Sequence, residues 1–258
     1  RDRRGRSKQV ADYILETEGL SKEFRGFFAV RDVRLSVARG SIHALIGPNG
    51  AGKTTCFNLL TKFLVPTAGT IRYKGQDITR TRPAEVARMG LVRSFQISAV
   101  FPHLTALENV RVALQRARGS SFDFWRPERV LAQFDDRARE LLADVGLAEY
   151  ATVPAGLLPY GRKRALEIAT TLALDPEMML LDEPTAGMTH EDVDRIAALI
   201  KRVAKSRTVL MVEHNLSVVS GLSDRITVLT RGQVLVEGDY KSVSSDPRVV
   251  EAYLGAAH

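Results

Sequence analysis

The stretch "SIHALIGPNGAGKTT", residues 41–55, decides the first part of the fold. Its nearly continuous apolar beginning is typical of a strand that is buried on both faces of a sheet. The pattern G-x-x-x-x-G-K-[ST] then runs from Gly47 to Thr54, ahead of a helix that we predict from residue 53 to about residue 64. A glycine-rich loop between a strand and a helix is the setting in which backbone N–H groups and the positive helix end bind phosphates.

Each part of this loop has an expected task in nucleotide binding. Lys53 can reach the β- and γ-phosphates, and the hydroxyl of Thr54 can ligate Mg²⁺. The predicted helix face contains Cys56, Leu59, Leu60 and Phe63, so we read the single cysteine as a packing residue. The residues expected to contact the nucleotide here are Gly47, Pro48, Asn49, Gly50, Ala51, Gly52, Lys53, Thr54 and Thr55.

The segment "MMLLDEP", residues 178–184, places two carboxylates at the end of another buried strand. Asp182 is predicted to hold the Mg²⁺ shell, and Glu183, pointing the other way, to polarise an attacking water. Phosphoryl transfer depends mostly on positioning and charge neutralisation, so this pair suffices without a covalent nucleophile.

Three further candidates have a functional and a structural interpretation. His214 follows the apolar run "TVLMV" and either senses the γ-phosphate or is structural. Gln96 either ligates Mg²⁺ and orders a water or is an ordinary surface residue. Phe24 is by default a core aromatic, with stacking against adenine as the functional alternative.

Composition and charge narrow the class of protein. The 258 residues are 45% hydrophobic and 26% charged, as in globular proteins, and no apolar run is long enough to span a bilayer. The net charge of +7 permits nucleic acid, a membrane surface or phosphates as an anionic partner. Residues 1–10, "RDRRGRSKQV", read as a basic arm and not as a secretory signal.

Strands that alternate with helices predict an α/β fold with a largely parallel sheet covered on both faces. Short strands are expected over residues 11–46, and a hairpin turns at Arg231-Gly232. Helical patterns at 106–117 and 129–145 dominate the middle of the chain, which we read as an insertion.

The stretch "GLLPYGRKRALEIA", residues 156–169, predicts a helix from Arg162 onward that starts with three cations. Because a helix N-terminus is already positive, Arg162, Lys163 and Arg164 indicate an anion that arrives from outside.

The order of the phosphate loop, Gln96, "PYG", "LLDEP" and His214 resembles the ATP-binding subunit of an ABC transporter, from about residue 20 to residue 254. The resemblance implies a RecA-like P-loop ATPase core, an antiparallel β subdomain and an inserted helical subdomain, residues 97–170, that touches the membrane partner. It assigns the roles of adenine-stacking residue to Phe24, catalytic base to Glu183, switch histidine to His214 and interface-crossing loop to residues 186–189. It also implies that Gln96 faces Mg²⁺ and the membrane subunit, and that Pro159, Tyr160 and Gly161 meet the partner subunit's ATP.

A closer resemblance is to the ATPase subunits of branched-chain amino acid importers. Its residues are "ARMGLVRSFQ" at 87–96, "LTALENV" at 104–110, "YG" with "RALEIA" at 160–169, "EPTAGM" at 183–188 and "EAYLG" at 251–255. Importers of urea, amides or aromatic acids and lipid exporters look similar. The implied cofactors are ATP and Mg²⁺. The implied partners are membrane permease subunits, a second ATP-binding subunit and, indirectly, a solute-binding protein, at the cytoplasmic face of the inner membrane. A soluble ATPase of translation or DNA repair is the rival, but the chain holds one cassette and no long coiled coil, so we expect no nucleic acid partner.

Two positions depart from the family. Its signature usually reads Leu-Ser-Gly-Gly-Gln, whereas this chain has Leu158-Pro159-Tyr160-Gly161-Arg162. Pro159 has neither a hydroxyl nor an N–H, which predicts pairing with a different ATPase subunit. Thr189 replaces a frequent aspartate and either acts in catalysis or caps the helix predicted at 191–204, with Asp192 three residues on.

Aromatic residues cluster in the inserted region without a helical or strand period. Phe101, Phe122, Phe124 and Trp125 form either a small satellite core or a docking surface for the membrane subunit.

Overall fold

A computed structural model describes residues 12–94, 100–117 and 132–254 of the chain. The basic arm, Gln96, Phe122, Phe124 and Trp125 lie outside these ranges.

A four-stranded antiparallel sheet is built mostly from the N-terminal part of the chain. Its strands are β1 (Tyr13–Phe24), β2 (Phe27–Ala38), β4 (Ala68–Tyr73) and β5 (Gln76–Asp77), in the order β2-β1-β4-β5. The expectation of short strands over residues 11–46 was wrong for β1 and β2, which each have 12 residues, and is confirmed for Ile42–Ile46, which has 5. Polar residues and Gly19 interrupt the apolar pattern of β1, but a register shift between Thr17 and Leu20 absorbs the irregularity and the strand continues.

The second sheet carries the predicted phosphate loop. It contains β3 (Ile42–Ile46), β6 (Leu91–Ser94), β7 (Met178–Asp182), β8 (Thr208–Val212), β9 (Arg225–Thr230) and β10 (Gln233–Gly238), in the order β10-β9-β3-β8-β7-β6. All neighbours pair in parallel except the edge strand β10, whose hairpin with β9 turns at Arg231-Gly232 as predicted. The carboxyl ends of β3, β6, β7 and β8 therefore meet at one edge of the sheet, where ligands bind in such folds.

The helices are α1 (Lys53–Leu60), α2 (Pro83–Arg88), α3 (Ala106–Ala117), α4 (Asp135–Asp144), α5 (Tyr160–Leu172), α6 (His190–Val203), α7 (Leu216–Leu222), α8 (Tyr240–Ser244) and α9 (Pro247–Leu254). The predicted bounds of α3 are confirmed. Helix α1 is shorter than predicted: it ends at Leu60, the Thr61 hydroxyl donates to the Phe57 carbonyl at 2.7 Å, and Lys62 has a left-handed backbone with φ 65°. Phe63 is consequently outside the helix and 53% exposed, so its assignment to the buried face was wrong.

Two hydrophobic cores lie on opposite faces of the parallel sheet. Alternate residues of β7 show this arrangement, since Met178 and Leu180 pack with α1 and the antiparallel sheet, whereas Met179 and Leu181 pack with residues of α3, α4, α5 and α6. The sheet is thus the middle layer, as expected for a parallel sheet with near-continuous apolar strands.

The loop before α3 is held by two local devices. Thr105 and Glu108 form a capping box, with Thr105 N donating to Glu108 Oε2 at 2.7 Å and Glu108 N to Thr105 Oγ1 at 3.2 Å. The buried Asn109 accepts from Phe101 N at 2.7 Å and donates to the Phe101 carbonyl at 3.1 Å. The backbone of Phe101 is thereby fixed while its side chain is 54% exposed, which argues against a satellite core at this residue.

Candidate functional site

The loop between β3 and α1 has the backbone that phosphate binding requires. Gly52 precedes α1 with φ 99°, and a Cβ there would lie 2.4 Å from the carbonyl oxygen of Ala29, so this position needs glycine. The first N–H groups of α1 follow directly from the loop, and Thr54 is exposed. These features are those of a helix N-terminus that accepts an anion.

Lys53 lies across this loop. Its Nζ donates to the carbonyls of Gly47 at 2.7 Å and Pro48 at 2.9 Å, and the residue is only 6% exposed. Lys53 is therefore not held near solvent, because the flexible stem folds the ammonium group back onto the loop. Burial lowers the pKa of this ammonium group, whereas the carboxylates of Glu183 and Asp182 act in the opposite direction.

Asp182 ends β7 and is buried. Its carboxylate accepts a hydrogen bond from Arg93 on β6, and Arg93 also donates to the side-chain oxygen of Asn58 on α1 at 2.6 Å. One guanidinium group therefore connects the predicted Mg²⁺ ligand to the helix that follows the phosphate loop.

Glu183 and His214 form a pair at the carboxyl edge of the sheet. Glu183 Oε1 and His214 Nε2 are 2.8 Å apart, and an ionised carboxylate only accepts, so Nε2 supplies the hydrogen. Glu183 has φ 45°, a conformation that is costly for a side chain larger than glycine and is concentrated at functional sites. The His214 side chain is 41% exposed, which distinguishes it from a core histidine.

The signature segment begins α5. Pro159 is the cap residue before the helix, Tyr160 is 41% exposed, and the helix starts at Tyr160, two residues earlier than predicted. A Cβ on Gly161 would lie 2.5 Å from the carboxyl carbon of Asp192 on α6, so any larger residue at this position would require the Asp192 side chain to move.

Two of the three cations in this segment have partners within the chain. Arg164 is 4% exposed and donates to the carbonyls of Asp182 at 2.7 Å and Glu183 at 3.1 Å, and to Glu167 Oε2 at 2.6 Å. Arg162 donates to the Gly146 carbonyl at 3.0 Å. The prediction that all three serve an external anion is wrong for Arg164, because its buried side chain binds carbonyl groups of a neighbouring segment. For Arg162 and Lys163 it stays a prediction.

The structure also tests the structural interpretations of Thr189, Phe24 and Cys56. Thr189 caps α6, with its Oγ1 accepting from Asp192 N at 3.3 Å, so the structural interpretation is confirmed. Phe24 is 43% exposed, with the Lys22 ammonium 5.1 Å from its ring centroid, so the default assignment to the core was wrong. Cys56 is fully buried and its pKa is raised to about 12 by burial, which confirms a packing role.

Sequence reasoning missed two residues that contact the site. Glu213, directly after β8, is 3% exposed and binds backbone groups of both Thr185 and His214. Tyr253 on α9 reaches the phosphate loop: burial raises the pKa of its hydroxyl, and a hydrogen bond with the backbone of Gly47 opposes that shift. An acidic residue directly after a buried, mostly apolar strand is the local signal that could have singled out Glu213.

A glycine-rich strand–loop–helix, in the same sheet as a strand that ends at Asp182 and is followed by Glu183, defines a P-loop nucleotide-binding ATPase. The family model for ABC transporters matches residues 30–186, and that for branched-chain amino acid ATP-binding cassette transporters matches residues 233–258. The chain belongs to the ABC transporter family and is one of its ATP-hydrolysing cassettes.

Relatives and solved structures agree with this assignment. The branched-chain amino acid transport ATP-binding protein BraF of Pseudomonas aeruginosa is 40% identical over 254 residues, covering 95% of this chain and 98% of BraF. The corresponding protein LivG of Escherichia coli is 39% identical over 251 residues, covering 95% and 98%. A crystal structure of an ATP-binding cassette of an ABC transporter in its ADP conformation has a TM-score of 0.83 at 32% identity, covering 94% of this chain and 99% of that one. The RecA-like cassette fold expected from the resemblance is confirmed. Across the three described ranges, no helix is long and apolar enough to cross a bilayer.

Proposed function

We propose that this chain hydrolyses Mg-ATP to power uptake of branched-chain amino acids through separate membrane permease subunits. The geometric observation that carries hydrolysis is the Glu183–His214 pair at 2.8 Å, on strand ends next to the phosphate loop. The choice of solute rests on similarity to the two relatives and on the C-terminal match at residues 233–258.

Each residue of the site has a part in this reaction. Backbone N–H groups of residues 47–55 bind the phosphates, and Lys53 exchanges its two loop carbonyls for phosphate oxygens. Glu183 takes a proton from the attacking water as general base. His214 holds the Glu183 carboxylate in orientation and senses the γ-phosphate. Phe24, exposed at the end of β1, is available to stack on adenine.

The protein atoms at the site suit Mg²⁺, which prefers oxygen ligands and is usually bound through one or two carboxylates together with substrate phosphates and waters. Thr54, Asp182 and Gln96, the last of which lies outside the described residues, would hold it. The described residues contain no group of three or more His, Cys, Asp or Glu that could hold a metal by themselves, in keeping with that ligand set. When bound, Mg²⁺ neutralises charge that develops on the phosphates. Asp182 would then divide its two oxygens between the metal and Arg93.

We propose that the permease subunits dock on the helical subdomain, residues 97–170, at the cytoplasmic face of the inner membrane. Phe101 and Leu157 are 54% and 76% exposed, and their loops are joined by a hydrogen bond of 2.8 Å from Gly156 N to the Pro102 carbonyl. Exposed apolar side chains on a fixed backbone are suited to an interface. No nucleic acid partner is proposed.

The second ATP-binding subunit is proposed to be a different chain. Pro159 offers a partner's nucleotide neither a side-chain hydroxyl nor a backbone N–H, whereas the N–H groups of Tyr160 and Gly161 remain in the first turn of α5. In a homodimer, Pro159 of the second copy would face the ATP bound by this chain. A different subunit with a complete signature would supply the donors that Pro159 lacks. The solute-binding protein acts only through the permease.

Reconstitution with the co-purifying permease, ATPase and solute-binding subunits tests this function. Leucine, isoleucine or valine on the binding protein should stimulate ATP hydrolysis in proteoliposomes, and Glu183→Gln should abolish the stimulation. Equal stimulation by urea or an aromatic acid would overturn the proposed solute class. Co-purification with ribosomes or DNA and without membrane subunits would overturn the transport function.

A further inference from the structure

Glu213 is a buried carboxylate with a full set of hydrogen bonds. It is 3% exposed, and an ionised carboxylate is costly to bury unless its oxygens are paired. Oε1 accepts from Thr185 N at 2.9 Å and from Thr185 Oγ1 at 2.6 Å. Oε2 accepts from His214 N at 2.9 Å and Asn215 N at 3.2 Å. The four donors therefore satisfy both oxygens.

The two oxygens hold two different segments. Thr185 follows β7, two residues after Glu183, whereas His214 and Asn215 follow β8. In the described part of the chain, the β7–β8 pairing ends at Asp182 and Val212, with one further bond of 2.9 Å from Glu183 N to the Val212 carbonyl. Beyond Glu183 and Val212, where the backbone hydrogen bonds between the two strands end, the Glu213 side chain connects the segments that follow β7 and β8.

The same two segments present the catalytic pair. Glu183 Oε1 and His214 Nε2, 2.8 Å apart, project from the two chains that Glu213 connects. The Glu183 side chain is 32% exposed and that of His214 is 41% exposed, so solvent surrounds part of the pair and packing alone holds it weakly. The buried carboxylate lies on the protected side of the same junction.

We infer that Glu213 is a positioning residue for ATP hydrolysis, which fixes the separation of the two strand ends so that Glu183 and His214 meet. It also anchors Thr185 at the start of the 186–189 loop, and Asn215, whose Oδ1 accepts from Ser217 N at 3.0 Å and caps α7. This role rests on the proposed function of Glu183 and His214.

A carboxylate is required because all four contacts bring hydrogens toward it. Glutamine has nearly the same shape but presents an –NH₂ group on one side, which would face either the two Thr185 donors or the two backbone N–H groups. Glu213→Gln therefore removes one of the two anchors without leaving a cavity.

The experiment compares Glu213→Gln with Glu237→Gln in the assembled transporter. Glu237, on β10, is a matched control, because it is a partly buried carboxylate of the same sheet. It accepts from Thr227 Oγ1 at 2.8 Å and pairs with Arg225, and both of these residues are on β9.

We expect Glu213→Gln to lower kcat about 10²-fold, as displacements of about 1 Å at a reacting group do, while the KM for ATP and the nucleotide affinity stay within about twofold. Glu237→Gln should leave kcat within about twofold of wild type. A purely structural role would instead lower stability and nucleotide affinity together with kcat.

Thr185→Val is the second variant and removes only the 2.6 Å contact. We expect it to lower kcat about tenfold at an unchanged melting temperature, and the double variant with Glu213→Gln to be no slower than Glu213→Gln alone, because residues of one network are not additive. If Glu213→Gln does not fold, Thr185→Val decides, and unchanged turnover in it overturns the inference.

Glu183→Gln, measured in parallel, separates this inference from the proposed function. Full turnover in Glu183→Gln would reject the catalytic base itself. An inactive Glu183→Gln together with a fully active Glu213→Gln would reject only the positioning role.

Discussion

Replacing Arg164 by methionine should destabilise the protein strongly, because Arg164 connects α5 to the end of β7. The change removes hydrogen bonds to the Asp182 and Glu183 carbonyls and takes the cation away from Glu167, which is 1% exposed. Breaking a buried ion pair by removing one partner costs about 3–5 kcal/mol. In chains of about 150–250 residues, each kcal/mol of lost stability lowers the melting temperature by about 2–4 °C. Arg164→Met should therefore lower the melting temperature by about 6–20 °C. A thermal unfolding scan with saturating and without nucleotide measures this shift.

Two controls make the prediction specific. Arg162→Met removes a guanidinium group of the same helix that bonds one carbonyl at the surface, and it should cost about 1 kcal/mol or less. Arg164→Met combined with Glu167→Leu should recover most of the loss, because an apolar pair of similar volume often replaces a buried ion pair without penalty. If the melting temperature of Arg164→Met stays within about 2 °C of wild type, the loss of stability is about 1 kcal/mol or less, and the reasoning is refuted.

Three further outcomes are expected. Glu183→Gln should bind Mg-ATP but hydrolyse it about 10²- to 10⁴-fold more slowly, as steady-state ATPase of the assembled transporter will show; near-normal turnover would remove the base role. Lys53→Ala should lose nucleotide affinity in an ATP titration and keep a cooperative melting curve, because Lys53 bonds only the loop carbonyls of Gly47 and Pro48 among the contacts described. Since Pro159 lacks two donors and a charge-assisted hydrogen bond is worth about 1.5–3 kcal/mol, inactivating Glu183 should cost far more transport than inactivating the partner's corresponding glutamate. Equal losses, or a fully active homodimer of this chain, would reject the asymmetry.

The sequence alone determined the features that depend on local chemistry. The phosphate loop was recognisable because a strand, a set of glycines and a helix occur in immediate succession around Lys53. Helix α3 and the turn at Arg231-Gly232 were located correctly, since amphipathic periodicity and turn residues act over a few positions. The order of motifs was sufficient for the family, because a family is defined by residues along the chain.

Only the tertiary structure decided what the charged side chains contact. Arg164 looked like a cation for an external anion, but it is buried against carbonyls 18 and 19 residues away. Glu213 received no role from the sequence, but its carboxylate contacts Thr185, 28 residues away. A helical or strand period specifies which face a residue occupies and not which segment is packed there. Long ionic side chains make their contacts with that segment, so their roles are set by the packing of distant parts of the chain.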